Sequence, residues 1–344
     1  MSGQKIVTYR DIAAEAGVDR STVSLALRGH PRIPPATRER IQAIAQKMGY
    51  RPDPMLSYIA ASRWNRERAR QPAIAYLGVH RRPEKSGTPP DHYLEGIQRR
   101  AKALGYIVDC LHPAEFADGR QLAQILEARG IRGVIVGQTN VDARKPDLDW
   151  KRFCVVQVGL LCRTEVLTMV CADLRAAIRM AVEEAGRLGF KRPAICYFAH
   201  PDYESDRIVI EAAFGIQRER GGPSAFPVFV GYSANSGEYS EKAVQWLNRI
   251  RPDVVLGNHR QTARWLTVRG FRIPGNFEFI SLVGGGDHPV TEFPGVDLDF
   301  NAMGENAVNQ LDLKLRSHEY GQPRVATTIL TKPVWRVPAD EPRR

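Results

Sequence analysis

The 344-residue sequence has few cysteines, and their spacing suggests neither covalent pairing nor metal binding. There are five, at Cys110, Cys154, Cys162, Cys171 and Cys196, and no two of them form a C-x-x-C pair. An odd number without paired spacing argues against a disulfide framework or a zinc site. We therefore expect buried, reduced thiols, and neither a metal nor a cofactor.

Long hydrophobic runs are also lacking. No stretch of 18 apolar residues occurs, and the amino terminus has no apolar core of the kind found in signal peptides. We expect a soluble, cytoplasmic protein without a membrane partner. Hydrophobic content of 43% and charged content of 25% are those of a globular protein, and the length allows two or three compact units.

Signatures of catalysis are missing as well. The eight histidines are scattered, and there is no nucleophile elbow, no P-loop and no dinucleotide-binding glycine motif. The glycine run at 284–287 follows a strand pattern, but no lysine or Ser/Thr helix start follows it, so a plain loop is favoured over a phosphate cradle. The sequence therefore predicts a protein that is not an enzyme.

Positive charge is in excess and unevenly placed. The net charge is +11, and residues 1–70 hold 13 lysines and arginines against 6 acidic residues, which places +7 of the excess in one fifth of the chain. A basic segment of this kind suits a polyanion and makes binding strongly salt-dependent.

The stretch 9–27 has the pattern of two short helices joined by a tight turn. Gly17 suits the left-handed conformation that ends a helix, and Asp19 is a good amino-terminal cap for the next one. Apolar residues recur at helical spacing in both halves, at Ile12, Ala13 and Ala16 and again at Val23, Ala26 and Leu27. The predicted outward side chains of the second helix are Arg20, Ser21, Ser24, Leu25 and Arg28.

This pattern is typical of a helix-turn-helix, whose second helix lies in the DNA major groove. An ordinary helical hairpin is the competing interpretation. A third amphipathic helix, predicted at 36–48, and the basic charge of the same region favour DNA binding.

Four motifs follow one another in the first fifty residues: D-I-A-x-x-A-G-V, S-T-V-S, T-R-E-R-I and G-Y-x-P. In this order they resemble the lactose-repressor (LacI/GalR) family of transcription regulators. The resemblance implies a repressor that binds near-palindromic double-stranded operator DNA as a homodimer. It also implies allosteric control by a small-molecule effector, such as a sugar derivative.

The resemblance assigns roles within the DNA-binding module. Base choice falls to Arg20, Ser21 and Leu25, and contacts to phosphates or to the edge of the site fall to Thr8, Tyr9, Thr22, Ser24 and Arg28. For Arg20 the alternatives are a two-bond contact to guanine and a contact to phosphate only. Leu25 replaces the polar residue that is usual there, so it favours a thymine methyl.

A hinge helix and linker are expected at 53–71. The helix, from Met55 to about Arg63, is too short to be stable alone. By resemblance, Ile59 lies where the family places an apolar wedge in the minor groove. Leu56 is the alternative wedge, or packs against the dimer mate, and in a third interpretation both residues only cover the core.

From residue 73 the pattern changes to strands that alternate with helices, which predicts parallel sheets covered on both faces. The resemblance implies an α/β two-lobed, periplasmic-binding-protein-like (type I) core behind the amino-terminal all-α helix-turn-helix module. The expected domains are 1–52 for DNA binding and 72–344 for effector binding and dimerisation. Lobe 1 is expected at about 72–171 and 301–330, and lobe 2 at about 172–300 with the carboxyl-terminal tail.

In such sheets, ligands bind at the carboxyl ends of the strands. The predicted effector contacts there are His80, Gln138, Asn258, His259 and Asp287, and further candidates are Arg81, Asn140 and His200. Two polar anchors that the family usually has are replaced by Ile210 and Gly286. We therefore do not expect the usual mode of sugar binding.

Two other functions share part of this pattern. A solute-binding protein for transport has the same lobes, but the missing signal peptide and the attached DNA module count against it. An enzyme with a Rossmann-like core is disfavoured by the missing motifs. Retardation of DNA by the purified protein separates both from a regulator.

Overall fold

The computed structural model describes residues 7–27, 33–48, 50, 72–78, 93–137, 148–160, 167–200, 203–232, 236–284 and 293–338. The chain divides into two compact units, Met1–Ala69 and Arg70–Arg344. Within the described residues, every helix is too short or too polar to cross a membrane.

The first unit is built from three helices, α1 (Tyr9–Ala16), α2 (Arg20–Leu27) and α3 (Pro35–Lys47). Its core is formed by the apolar faces of all three helices: Ile12, Ala16, Val23, Ala26, Ile33, Ile41 and Ala45 are buried. Helix α3 begins one residue before its predicted start. Pro35 fits there because the first turn of a helix leaves its N–H groups unbonded in any case.

The second unit alternates strands and helices. In chain order they are β1 (Ala73–Leu77), α4 (Leu94–Ala103), β2 (Ile107–Leu111), α5 (Gly119–Ala128), β3 (Gly133–Val136), β4 (Cys154–Val158), β5 (Thr168–Ala172), α6 (Leu174–Arg187), β6 (Pro193–Ala199), α7 (Glu204–Glu219), β7 (Val228–Tyr232), α8 (Ser236–Ile250), β8 (Val254–Gly257), α9 (His259–Val268), β9 (Glu278–Gly284), β10 (Gly295–Asp297), α10 (Phe300–Ser317), β11 (Thr328–Thr331) and β12 (Val334–Arg336). Short 3-10 turns lie at Pro113–Glu115 and Trp150–Arg152.

The strands form two sheets. Sheet A has the order β11-β5-β4-β3-β1-β2 and is parallel, and sheet B has the order β12-β10-β9-β8-β6-β7. Sheet B is parallel except for β12, which runs antiparallel to β10. The predicted helical module and the predicted two-sheet α/β core are both confirmed.

Both faces of each sheet are buried, because successive side chains of a strand point to opposite faces. In sheet A, Ile74 and Tyr76 face one apolar cluster, whereas Ala75 and Leu77 face another. In sheet B, Ile195 and Tyr197 face the cluster beneath α6 and α7, and Cys196 faces the cluster beneath α8 and α9. Near-continuous apolar runs are therefore the correct sequence signal for these strands.

Three strands were not predicted: β5, β10 and one of the two strands of the carboxyl-terminal tail, where the sequence indicates a single strand. Strand β12 also departs from the predicted parallel arrangement. Strand β5 lies at the expected boundary between the lobes, near residues 171–172, and β10 has three residues, less than two periods of the strand repeat. Strand β12 follows β11 after only two residues, yet it belongs to the other sheet. A strand parallel to β11 in the same sheet would need a longer connection than two residues. The apolar pattern of β12 does not show which sheet the strand joins or in which direction it runs.

Within the described residues, the chain crosses between the sheets at three places: between β5 and α6, between β10 and α10, and between β11 and β12. Helix α6 packs on sheet B and helix α10 packs on sheet A. Lobe 1, defined here as sheet A with its helices, is therefore completed by chain that returns from lobe 2, defined as sheet B with its helices.

Helices α4 and α10 approach closely through two glycines. A methyl group on Gly96 would collide with the backbone oxygen of Asn301, and one on Gly304 would collide with the backbone oxygen of Tyr93. The N–H of Gly96 also donates to the side-chain oxygen of Asn301 at 3.1 Å. The helix pair can therefore pack at this distance only with glycine at both positions.

Three of the five cysteines are buried and unpaired: Cys154, Cys171 and Cys196. Burial raises the pKa of Cys154 and of Cys171 to about 11 and that of Cys196 to about 12, so the thiols stay protonated and unreactive. Cys110 is a correction to the prediction, because it is exposed on β2, an edge strand of sheet A. Cys162 lies outside the described residues.

Candidate nucleic-acid interface

The first helix of the module begins with a capping box. The backbone N–H and the hydroxyl of Thr8 donate to the carboxylate of Asp11 at 2.8 and 2.6 Å, and the N–H of Asp11 approaches the Thr8 oxygen at 3.4 Å. Thr8, one of the predicted DNA contacts, thus has its hydroxyl engaged in starting α1. The spacing Thr-x-x-Asp is a readable signal for this arrangement.

The turn between the helices has the geometry that its sequence predicts. Gly17 adopts a φ of 62° and a ψ of 37°, the left-handed conformation, and the N–H of Val18 donates to the carbonyl of Ala13 at 3.1 Å. The N–H of Ser21 donates to Asp19 Oδ1 at 2.7 Å. Hydrogen bonds from Ser21 hold the pKa of Asp19 below its ordinary value, so its carboxylate is charged at the start of α2.

The predicted base-reading residues do not all face solvent. Arg20 and Ser21 are exposed on the first turn of α2, and the guanidinium of Arg20 forms no ion pair with a described residue. Leu25 is only half exposed, because its side chain packs against the module's core, and this corrects its prediction as an outward residue. An apolar side chain one turn beyond Ser21 gains more by covering that core than by facing water.

The predicted phosphate contacts surround α2. Tyr9 packs on Tyr50 with ring centroids 5.5 Å apart, and Thr22 and Ser24 are half-buried. Arg28, Leu56 and Ile59 lie outside the described residues, and their DNA-binding roles stay predictions. Among the described residues, the candidate surface for DNA is therefore the exposed start of α2, flanked by polar side chains.

The carboxyl edge of sheet B contains two described effector candidates, Asn258 and His200. The side-chain oxygen of Asn258 accepts the N–H of Phe198 at 3.0 Å, and its amide group donates to the Phe198 carbonyl at 2.6 Å. The hydroxyl of Thr262 donates to the same side-chain oxygen at 3.0 Å. Asn258 thus links the ends of β6 and β8. Its predicted contact with an effector would use only the hydrogen-bonding capacity that these bonds leave unused.

Asp206, which the sequence did not single out, lies beside this edge. Its carboxylate accepts the hydroxyl of Tyr197 at 2.7 Å and the N–H of His200 at 2.6 Å. Burial raises the pKa of Asp206 above its ordinary value, although both hydrogen bonds act in the opposite direction. His200 stacks on Tyr203 with ring centroids 4.1 Å apart.

The remaining effector predictions are open. His80, Gln138 and Asp287 lie outside the described residues, as do Arg81, Asn140 and Gly286, and nothing is described of the His259 side chain. Ile210 packs against the core of the second unit. Within the described residues, no group of three His, Cys, Asp or Glu side chains is arranged to hold a metal ion.

Residues 8–53 match the family described as bacterial regulatory proteins, lacI family. These residues include the capping box, the Gly17 turn and α2. The maltose regulon regulatory protein MalI of Escherichia coli (strain K12) is 32% identical over 139 residues, which are 40% of this chain and 37% of the relative. Residues 8–53 therefore form a module of the lacI family.

Solved structures of transcriptional regulators share the fold over nearly the whole chain. The complex of the transcriptional regulator CelR with cellobiose has a TM-score of 0.56 at 19% identity, covering 96% of this chain and 98% of that one. The Lac repressor dimer bound to operator and an anti-inducer has a TM-score of 0.50 at 18% identity, covering 96% and 98%. The aligned part of MalI is 37% of that protein, and beyond it the likeness of the core to these solved structures is one of fold.

Proposed function

We propose that the chain is a sequence-specific DNA-binding repressor whose operator affinity is modulated by a small-molecule effector. The observation that carries the proposal is the exposed start of α2. Arg20 and Ser21 project from a helix whose opposite side, at Val23 and Ala26, is fixed in the core of a module that matches the lacI family. A helix held in this way can enter a major groove without losing its packing.

The working unit is proposed to be a homodimer on a near-palindromic operator. The Lac repressor dimer, which shares this fold, binds its operator in that state. Residues 1–52 would read the half-sites and 53–71 would form the hinge. There, Ile59, or alternatively Leu56, would enter the minor groove.

The effector is proposed to bind between the lobes, at the carboxyl edges of sheets A and B. CelR, which has the same fold, forms a complex with cellobiose. In this chain Ile210 and Gly286 replace two polar anchors that the family usually has, so simple hexoses should bind poorly. The three crossings allow the lobes to move relative to each other, and a ligand that favours one arrangement would bias the dimer. No catalytic step is assigned.

The test is a binding-site selection with the purified full chain and a pool of random duplexes. An inverted repeat recovered from the pool supports the proposal, and recovery of no common sequence contradicts it. A thermal-shift screen with sugars, sugar acids and nucleobases then identifies the effector class. An effector should change the affinity for the selected operator by about five- to 150-fold, the usual range of allosteric coupling.

A further inference from the structure

The amino-terminal edge of sheet B collects an excess of basic side chains. We call it the basic edge, and define it as the segments 184–192, 218–220, 249–253 and 269–278, which lead from α6, α7, α8 and α9 toward β6, β7, β8 and β9. It contains nine basic residues: Arg187, Lys191, Arg192, Arg218, Arg220, Arg249, Arg251, Arg269 and Arg272. It contains four acidic residues: Glu184, Glu219, Asp253 and Glu278.

These segments form one continuous surface. Strands β9, β8, β6 and β7 are neighbours in that order, so their amino ends lie side by side across about 14 Å, at about 4.8 Å for each strand spacing. Backbone hydrogen bonds join the loops, from Asp253 to the carbonyl of Arg192 at 3.2 Å and from Glu278 to the carbonyl of Asp253 at 2.9 Å.

Three of the four carboxylates of the edge have partners, and one of them, Glu184, pairs with Arg187 of the edge itself. Asp253 accepts the backbone N–H groups of Lys191 at 2.7 Å and of Arg192 at 2.9 Å, and Glu219 pairs with Arg179 of α6. Several of the basic side chains are exposed and form no ion pair with any described residue: Lys191, Arg192, Arg218, Arg249, Arg251 and Arg272. Their charge therefore faces solvent.

Helix ends account for only part of this excess. Cations are favoured near a helix carboxyl terminus, which explains Arg187, Arg218 and Arg249 in the last turns of α6, α7 and α8. The other group lies in loops beyond the helix ends: Lys191, Arg192, Arg251 and Arg272.

The same edge of sheet A is only partly different. Several of its basic side chains have an acidic partner: Arg129 pairs with Asp109, Arg132 and Arg152 with Glu127, Lys314 with Glu319, and Arg316 with Asp312. Lys102, Lys151 and Arg324 at that edge form no ion pair with a described residue, so they offer a matched set of exposed charges for comparison with the basic edge.

We propose that the basic edge binds the phosphate backbone of double-stranded DNA, as a second DNA contact besides that of α2. Residues 1–70 have a net charge of +7 and the basic edge has +5, whereas the rest of the chain has 27 basic and 28 acidic residues. Eight of the nine basic residues are arginines, whose planar guanidinium matches phosphate oxygens. Contact to phosphates alone is independent of sequence, so one bound protein could hold a second stretch of duplex.

This inference rests on the proposed function only in taking DNA as the polyanion, and a bridging assay separates the two. The full chain is loaded on beads that carry a 40-base-pair duplex containing the inverted repeat recovered by the binding-site selection, and a fluorescent second duplex without sequence relation to the first is then offered. Failure of the wild type to hold the first duplex contradicts the proposed function. Retention of the first duplex without capture of the second contradicts the basic edge.

The edge variant combines four changes: Lys191→Gln, Arg192→Gln, Arg251→Gln and Arg272→Gln. Its matched control combines four changes of exposed lobe 1 side chains that form no ion pair with a described residue: Lys102→Gln, Arg120→Gln, Lys151→Gln and Arg324→Gln. Both sets remove the same charge. The two halves of the edge set, Lys191 with Arg192 and Arg251 with Arg272, are also changed separately, so one poorly folded variant does not decide the test.

We expect the edge variant to capture the second duplex at least about tenfold less well in 0.1 M salt, while the control captures it like wild type. The slope of log affinity against log salt should become shallower by up to about 3.6, at 0.9 for each lost phosphate contact. Equal capture by the edge variant and the control would overturn the proposal. So would a loss restricted to phosphatidylglycerol vesicles offered in place of the second duplex, since the edge would then serve a membrane surface.

Discussion

The ammonium group of Lys332 lies 2.7 Å from the carboxylate of Asp173, and this pair joins two of the three crossings between the sheets. Asp173 stands between β5 and α6, and Lys332 stands between β11 and β12. The other carboxylate oxygen of Asp173 accepts the N–H of Ala176 at 3.0 Å and so caps α6. The Asp173 side chain therefore caps a helix of lobe 2 and also pairs with the segment that connects β11 to β12.

The ion pair of Asp173 with Lys332 should contribute less to the free energy of unfolding than its cap of α6. Lys332 is 78% exposed, so Lys332→Gln should lower the free energy of unfolding by less than about 0.5 kcal/mol. Asp173→Ala should cost about 1 kcal/mol, because it also removes the helix cap. Urea unfolding of the full chain measures both, and Asp173→Asn, which keeps a capping oxygen, is the control. A larger loss for Lys332→Gln than for Asp173→Ala would contradict this ranking.

The buried pair of Tyr197 and Asp206 predicts a pH-dependent defect. Tyr197→Phe removes a hydrogen bond to the Asp206 carboxylate and should cost about 1–3 kcal/mol at pH 7. Because burial already raises the pKa of Asp206, losing this bond should raise that pKa further. When the pH is above this pKa, a higher carboxyl pKa in the folded variant lowers its free energy of unfolding. Once the carboxyl group is protonated in both the folded and the unfolded state, this loss disappears, so the deficit should shrink as the pH falls.

Urea unfolding at pH 7 and at pH 5 measures this change, with Tyr320→Phe, at an exposed tyrosine, as the control. A deficit of Tyr197→Phe that does not change with pH would contradict a role of this hydroxyl in lowering the pKa of Asp206.

The capping box separates a structural role of Thr8 from a role in binding DNA. Thr8→Ala should destabilise the first unit by about 1 kcal/mol, whereas Thr8→Ser keeps the capping oxygen and should be close to wild type. Thermal unfolding followed by circular dichroism gives the stability, and operator affinity is measured well below the transition. If Thr8→Ala weakens DNA binding without any loss of stability, the hydroxyl contacts DNA rather than α1.

Arg20 and Leu25 should behave in opposite ways when each is replaced by alanine. Arg20 is exposed, so Arg20→Ala should leave stability unchanged and relax preference at one base pair per half-site, worth about 1–3 kcal/mol. Leu25 packs on the core, so Leu25→Ala should lower the melting temperature as well as operator affinity. Binding-site selection and thermal melting of both variants provide the comparison. Unchanged base preference for Arg20→Ala would leave only a phosphate contact for Arg20.

The glycines between α4 and α10 should not tolerate a methyl group. Gly96→Ala and Gly304→Ala should each cost about 1–3 kcal/mol, since the added carbon would meet the backbone of the facing segment. Gly186→Ala, within α6, is the matched control, because a methyl group there meets nothing within 4 Å and alanine favours the helix by about 0.5–1 kcal/mol. Equal stability of the three variants would contradict the close approach of the two helices.

Sequence patterns predicted the positions of helices and strands better than the pairing between strands. Helix α1, the Gly17 turn and strand β9 follow from periodicity and turn chemistry that lie within a few neighbouring residues. The three-residue strand β10 is too short to show a period. The crossing from β11 to β12 depends on pairing between distant segments, which no local pattern encodes.

The site shows the same division. The exposure of Arg20 and Ser21 could be predicted from the helical repeat that places Val23 and Ala26 inside. The pairing of Asp206 with Tyr197 could not be predicted, because it forms where the start of α7 packs on the end of β6. Half burial of Leu25 likewise reflects how α2 sits on the core of its module.

Strand β11 also has a consequence for how the protein is made. Its partner β5 is complete by residue 172, but β11 itself spans residues 328–331, so more than 150 residues must be synthesised between the two. At about 5–20 residues per second, β5 leaves the ribosome many seconds before its neighbour exists. During that interval β5 is an open edge of lobe 1, while the sequence of sheet B from β6 to β10 is being translated. Nascent chains stalled before residue 328 should therefore be recognised by chaperones through lobe 1, even after lobe 2 has acquired its central strands.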